Sequence, residues 1–247
     1  VSARFEELAW QETSLGTLTL RRRLDPSLKV EVYEVKLGDE FLMSSLFTVA
    51  EVELAHLGLA QVDVEGAAVL VGGLGLGYTA QAALAHPSVG SVTVVDALEA
   101  VISWHQRRLL PVSGALMSDP RTRLLHADFF ALMRRDPEPG AVGGFDAILV
   151  DIDHSPRHLL HPSHADLYTT SGLRQLSRHL APGGVFALWS DDPPDEWFNA
   201  NLAEVFAVRD AHVVSFANPL THGLSANTVY VAKRATGDLG SLGPEGP

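Results

Sequence analysis

The chain has 247 residues, 46% of them hydrophobic and 19% charged, with a formal charge of −12 and no cysteine. The missing cysteines exclude disulfide staples, Cys-ligated zinc and a thiol nucleophile. The acidic balance opposes nucleic acid phosphates and is compatible with a cationic small-molecule substrate such as an amine. Arg21, Arg22 and Arg23 form a short basic cluster, read as a solvated hairpin. No apolar run reaches the roughly 20 residues of a membrane span, and residues 1–10 lack the basic start and long apolar stretch of a secretory signal. The expectation is a cytoplasmic protein with neither membrane nor nucleic acid as partner.

Residues 17–21 and 30–35 alternate in polarity around the turn-forming Asp25-Pro26-Ser27 and predict a small β region within residues 1–45. Leu46, Ala50, Leu54 and Leu57 recur at helical spacing and place a helix over 47–59. Apolar strands then alternate with helical segments, the pattern of a parallel sheet covered on both faces. Strands are expected at 67–71, 91–95, 122–126, 146–150 and 184–189. Helices are expected at 78–85, 99–108 and 171–180, the last stopped by Ala181-Pro182-Gly183-Gly184. Segments 212–216 and 228–232 are expected to close the sheet in antiparallel fashion. The predicted fold is a doubly wound, mostly parallel α/β sheet over residues 46–234, with a Gly- and Pro-rich tail at 235–247 expected to be disordered.

The strand at 67–71 runs into Gly72-Gly73-Leu74-Gly75-Leu76-Gly77 and then into a helix. Gly72, Gly73, Gly75 and Gly77 let the backbone turn tightly and approach a ligand, while the helix N-terminus offers free N–H groups. Tyr78 breaks the Gly-x-Gly-x-x-Gly dinucleotide pattern, and no Gly-Lys-Ser/Thr ending marks a P-loop. Asp96, 19 residues after Gly77, ends the second strand, where a carboxylate can hold a ribose diol or cap the next helix. Asp128 ends the third strand; it can accept from an adenine amino group, with Phe129 available for stacking, or serve as a helix cap.

Several stretches resemble the spermidine synthases, the polyamine aminopropyltransferases built on the S-adenosylmethionine methyltransferase fold. They are Val69-Leu70-Val71-Gly72-Gly73, His86-Pro87-Ser88-Val89 before Val92-Thr93-Val94-Val95-Asp96, and Asp119-Pro120-Arg121 leading to Asp128. Phe145-Asp146-Ala147-Ile148-Leu149-Val150-Asp151, Leu180-Ala181-Pro182-Gly183-Gly184 and Gly38-Asp39-Glu40 complete the set. The resemblance implies nucleotide contacts at Asp96 and Asp128, and Asp151 as acceptor of the attacking amine's proton. It implies S-adenosylmethionine or its decarboxylated form as co-substrate and, by family analogy alone, a homodimer. This chain departs from the family in three places: no aspartate lies in the glycine turn, Ala50 stands where a tyrosine is expected, and Asp-Ser-Ser-Asp-Pro is replaced by Asp151-Ile152-Asp153-His154-Ser155-Pro156.

Asp153 or His154 is a candidate to replace the second aspartate of that motif, and His154 is a candidate base beside Asp151. His154, His158, His161 and His164 are read as pocket lining, with no metal expected, because Pro156 and Pro162 interrupt any continuous helix. Trp104 and His105 are read as core, and the Asp191-Asp192-Pro193-Pro194-Asp195 loop as an overhang of the crevice. The leading expectation is aminopropyl transfer to an amine. Methyl transfer from S-adenosylmethionine is the first alternative, and a catalytically inactive nucleotide-binding regulator the second.

Overall fold

The computed structural model describes residues 5–13, 16–137 and 144–237, so the tail expectation lies outside the described residues from position 238 onward. Strands β1 (Phe5–Thr13), β2 (Gly16–Leu24), β3 (Glu31–Leu37) and β4 (Glu40–Ser44) pair antiparallel in chain order. Asp25 makes the β2–β3 turn because its Oδ1 accepts from the amides of Ser27 and Leu28, both at 3.0 Å. The basic triplet lies on a strand of the β2–β3 hairpin, partly exposed, but its charges are paired. Arg21 and Arg23 donate to the two oxygens of the buried Glu34 at 2.7 and 2.8 Å, so opposed charges on neighbouring strands lock this sheet.

Helix α1 (Val49–Leu59) buries Ala50, Leu54 and Leu59 and leads into β5 (Ala67–Gly72), α2 (Tyr78–Ala85), β6 (Val89–Asp96) and α3 (Glu99–Gln106). Then follow α4 (Ser113–Ser118), β7 (Thr122–His126), α5 (Phe129–Arg134), β8 (Phe145–Val150) and a 3-10 segment at Pro162–Tyr168. The chain continues through α6 (Thr170–Ser177), β9 (Leu180–Ser190), α7 (Glu196–Ala203), β10 (Val208–Asn218) and β11 (Gly223–Lys233). The large sheet has the order β10-β11-β9-β8-β5-β6-β7, parallel from β9 to β7 and antiparallel at β10 and β11.

Side chains alternate across this sheet with period two, yet both faces are dry. Val69, Val71, Ala147 and Leu149 point into a core shared with α1 to α4 and the small sheet, whose Leu18, Leu20 and Val35 join it. Leu70, Ile148 and Val150 point into a second core with Phe130, Leu173, Phe186 and Phe198. Several boundaries differ from expectation: β6, β9, β10 and β11 run longer than expected, and α1 and α3 shorter. The segment expected to end helix α6 already belongs to β9: Leu180 pairs with Phe145, and the register shifts before Val185 meets Ala147. Pairing to β8 therefore overrides the local Pro-Gly-Gly stop, as tertiary contacts override propensity.

The strand order reverses between β5 and β8, so the carboxyl ends of these two strands open the crevice where ligands of such sheets bind. The glycine turn leaves β5 there, and Asp151 leaves β8. The two are tied by the Asp151 amide donating to the Gly72 carbonyl at 2.8 Å.

Candidate active site

A cleft of about 480 Å³ opens at this switch point. Its walls come from β4 (Phe41, Met43), α1 (Phe47 just before it and Glu51), the turn Leu74–Tyr78, the β8 loop (Asp151, His154) and the β10–β11 ribbon (Asn218, Asn227). Among the described residues three carboxylates line it, Glu51, Asp151 and Asp191, and no Lys or Arg does. Such a lining favours a cation.

The glycine turn works by close approach. Gly73 has φ +93°, and a Cβ there would run into the Asp151 carbonyl, so only glycine lets the turn and the β8 end lie side by side. Gly77 has φ +92°, and a Cβ would meet the rings and methyls of Val112, His105 and Leu116 at 2.7 to 2.8 Å. Gly75 and Gly77 face the cleft, whereas Gly72 and Gly73 form its packed rear.

His105 is more than core. It is fully buried, and its Nε2 lies 2.9 Å from the Gly75 carbonyl while Ser113 Oγ lies 3.1 Å from Nδ1. A carbonyl can only accept, so Nε2 carries the proton and the serine hydroxyl donates to Nδ1. Burial holds the His105 pKa below its ordinary value, keeping the ring in this neutral form.

Asp96 sits behind the turn rather than in the cleft lining. Its oxygens accept from the amides of Leu74 at 2.9 Å and Leu98 at 2.8 Å. Burial raises its pKa, and these amide bonds oppose the rise. Asp128 caps α5, accepting from the Ala131 amide at 3.0 Å, the capping role weighed for it. Phe129 does not offer a stacking face. It is 2% exposed, and its ring lies against Gly72, filling the space a Cβ there would take.

Asp151 is the central carboxylate. Thr79 Oγ1, in the first turn of α2, donates to Asp151 Oδ2 at 2.9 Å. Burial pushes the Asp151 pKa up to about 6, and the threonine bond resists the rise. Beside it, Glu51 is pushed up to about 8, first by burial and then by the Asp151 charge. Tyr78 is raised as well, by burial and by the charges of Glu51 and Tyr33.

Asp153, a candidate from the sequence, is absent from the cleft lining. It is 1% exposed and accepts from the Leu160 amide, His164 Nδ1 and Tyr168 Oη, each at 2.8 Å. Two residues beyond Asp151, its side chain turns into the second core and braces the loop instead of lining the cleft. His154 does line the cleft, and its Nε2 lies 3.2 Å from Glu40 Oε1, joining the β8 loop to the small sheet. The other histidines scatter. His158 pairs with Asp192, His161 with Ser163, and His164 stacks on Phe130 with ring centroids 3.7 Å apart. Among the described residues no group of three or more His, Asp or Glu is placed to hold a metal. No helix there is long and apolar enough to cross a membrane.

Glu51 and Thr79 were not singled out from sequence. Glu51 follows a buried alanine on α1, and Thr79 follows Tyr78 in the turn of helix nearest the glycines. An acidic residue directly after a buried alanine, on a helix whose other charged groups Glu53 and His56 pair with each other, was the available signal.

Fold and cleft together define a doubly wound α/β protein with an acidic crevice beside a glycine turn. Comparison with known proteins carries this further. The spermine/spermidine synthase domain model matches residues 47–221, and the chain belongs to that family. It is 30% identical to polyamine aminopropyltransferase 2 of Pseudomonas aeruginosa over 149 residues, 56% of this chain and 39% of that protein. It is 27% identical to putrescine N-methyltransferase 1 of Nicotiana tabacum over 132 residues, 53% of this chain and 32% of that protein. The chain thus spans well under half the length of these relatives. The crystal structure of spermidine synthase from Thermotoga maritima superposes with a TM-score of 0.69 at 18% identity, covering 97% of this chain and 76% of that one, and shows the shared fold.

Proposed function

We propose that this chain transfers an aminopropyl group from decarboxylated S-adenosylmethionine to an amine. The observation that carries this reading is the lining of the cleft, which among the described residues has Glu51, Asp151 and Asp191 without a Lys or Arg. A decarboxylated donor brings a sulfonium and an ammonium, both cations, and an amine acceptor arrives as a third. A donor that kept its carboxylate would place an anion among carboxylates.

In the transfer, the amine nitrogen attacks the carbon bonded to sulfur. The C–N bond forms as the C–S bond breaks, sulfur keeps the electron pair as a neutral thioether, and the nitrogen loses a proton. Free alkylamines have a pKa of about 10, so the nucleophile must be stripped of its proton inside the cleft. Asp151 takes that proton. Thr79 holds its carboxylate in place, and a pKa near 6 leaves it ionised at neutral pH yet basic enough to accept. His105 keeps the Gly75 carbonyl and the turn in position for the donor, and Asp191, steadied by Asn227 Nδ2 at 2.7 Å, adds negative charge on the acceptor side. Holding nitrogen and carbon in line is the main source of rate.

Methyl transfer to an amine is the second reading, supported by the similarity to putrescine N-methyltransferase 1. Calorimetric titration of the protein with both sulfonium compounds, followed by product analysis with putrescine and spermidine, decides between them. Binding of the decarboxylated compound and release of methylthioadenosine with a diamine is the expected result. Binding of S-adenosylmethionine alone gives the lead to methyl transfer, and binding of neither removes the transferase reading.

A further inference from the structure

Glu51 has no role in the chemistry outlined above, yet it stands in the same cleft as Asp151. Thr79 links the two residues: its Oγ1 lies 2.9 Å from Asp151 Oδ2 and 3.3 Å from the Glu51 carbonyl oxygen. The other titratable groups of the cleft are Tyr78 from α2, with Tyr33 of β3 near it, His154 after β8 and Asp191 after β9. On α1 itself, Glu53 and His56 pair with each other at 3.1 Å. Asp191 is held by Asn227, and His154 by Glu40. Glu51 therefore meets a like charge, a threonine hydroxyl already engaged with that charge, and no Lys or Arg of the lining.

Two carboxylates in one partly dry cleft do not both ionise without a cation, because each charge raises the cost of the other. The position of Glu51 in the first turn of α1 favours its charge, as does its own backbone amide, but burial and Asp151 outweigh both. Resting on the cation-binding reading of the cleft, we propose that Glu51 and Asp151 form a carboxyl pair that keeps one proton while the cleft is empty and releases it to solvent when a cationic ligand binds. Glu51 is then the residue that adjusts the charge of the site to that of its ligand. The balance is simple: the neutral Glu51 carboxyl becomes a carboxylate beside the incoming cation, its proton passes to the buffer, and Asp151 remains ionised to accept the proton of the attacking amine.

The test is titration calorimetry with decarboxylated S-adenosylmethionine at pH 7 in buffers of different ionisation enthalpy, such as phosphate and Tris. The slope of observed heat against buffer enthalpy counts the protons exchanged. With Glu51 held near 8 in the empty cleft, close to one proton should leave per ligand bound. Glu51→Gln should bind about tenfold or more weakly with no linked proton, a change set by the lost charge. Asp151→Asn should also reduce the release, in part, because it removes the charge that adds to burial in keeping Glu51 neutral, and it serves the test if Glu51→Gln does not melt cooperatively. Binding to the wild type with no buffer dependence, or a release that persists unchanged in Glu51→Gln, overturns the carboxyl pair while leaving the cation-binding cleft standing. Absence of binding to every form removes that cleft reading and this inference together.

Discussion

Thr79 Oγ1 and Asp151 Oδ2 are 2.9 Å apart, one on the first turn of α2 and the other at the end of β8. This bond crosses the switch point of the sheet and favours the ionised carboxylate. Thr79→Val keeps the shape of a residue that is 3% exposed and removes the donor. Hydrogen bonds to charged groups contribute about 1.5–3 kcal/mol, so the acid limb of the kcat/KM profile should move up by about one to two pH units from its start near 6. A profile measured from pH 5 to 9 checks this, and an unmoved acid limb would separate Thr79 from the base.

Asp151→Asn should cost about 10² to 10⁴ in kcat, the usual contribution of a general base. Affinity for the sulfonium donor should change little by comparison. Single-turnover rates and calorimetric binding measured side by side distinguish this from a nucleotide-binding role, in which affinity would collapse first.

Asp153 should behave in the opposite way. Asp153→Ala leaves the Tyr168 hydroxyl, the His164 imidazole and the Leu160 amide without their buried acceptor, a loss of about 3 kcal/mol or more. Urea unfolding should show the loss, while kcat per folded molecule stays within a few-fold. Unchanged stability with a collapse of kcat would return Asp153 to the chemistry.

His105→Phe keeps a ring in the core and removes the donor to the Gly75 carbonyl. Donor affinity should fall about tenfold, equivalent to about 1.4 kcal/mol, with a smaller effect on kcat. Equal affinity for the donor in both proteins would show that the turn holds its shape without the histidine.

Glu51 also marks the pH dependence of folding. Its carboxyl titrates near 8 in the folded molecule against an ordinary value of 4.5, so between these pH values the folded state holds a proton that the unfolded state has released. Stability is fully present below about 4.5 and is lost as pH rises through 8. Asp151 adds a loss of the same sign between 3.8 and about 6. Glu51→Gln should flatten the upper part of a Tm-against-pH curve, and an unchanged slope between pH 6 and 9 would contradict the raised carboxyl.

Much of the scaffold is legible in the chain. The alternation of apolar strands and helices led to the parallel sheet, and the glycine turn and Asp151 could be placed at strand ends because the topology of such sheets dictates which ends meet. Less legible were features that depend on direction. Alternation places Asp153 two residues from Asp151 but does not say that its side chain turns into the second core, where Tyr168 and His164 wait. Phe129 looked free for a ligand because nothing in its neighbours announces that Gly72 leaves a hollow for its ring.

By itself the sequence determined the doubly wound sheet, the glycine turn and the proximity of that turn to Asp151, since these follow from periodicity, backbone freedom and strand order. Only the tertiary structure decided which carboxylates share the cleft. It brought Glu51 from α1 beside Asp151 from β8, turned Asp96 and Asp128 to backbone amides, and set His105 behind Gly75. The physical reason is that desolvation and pairing of charge depend on distances across elements far apart in the chain, and local pattern carries no record of them.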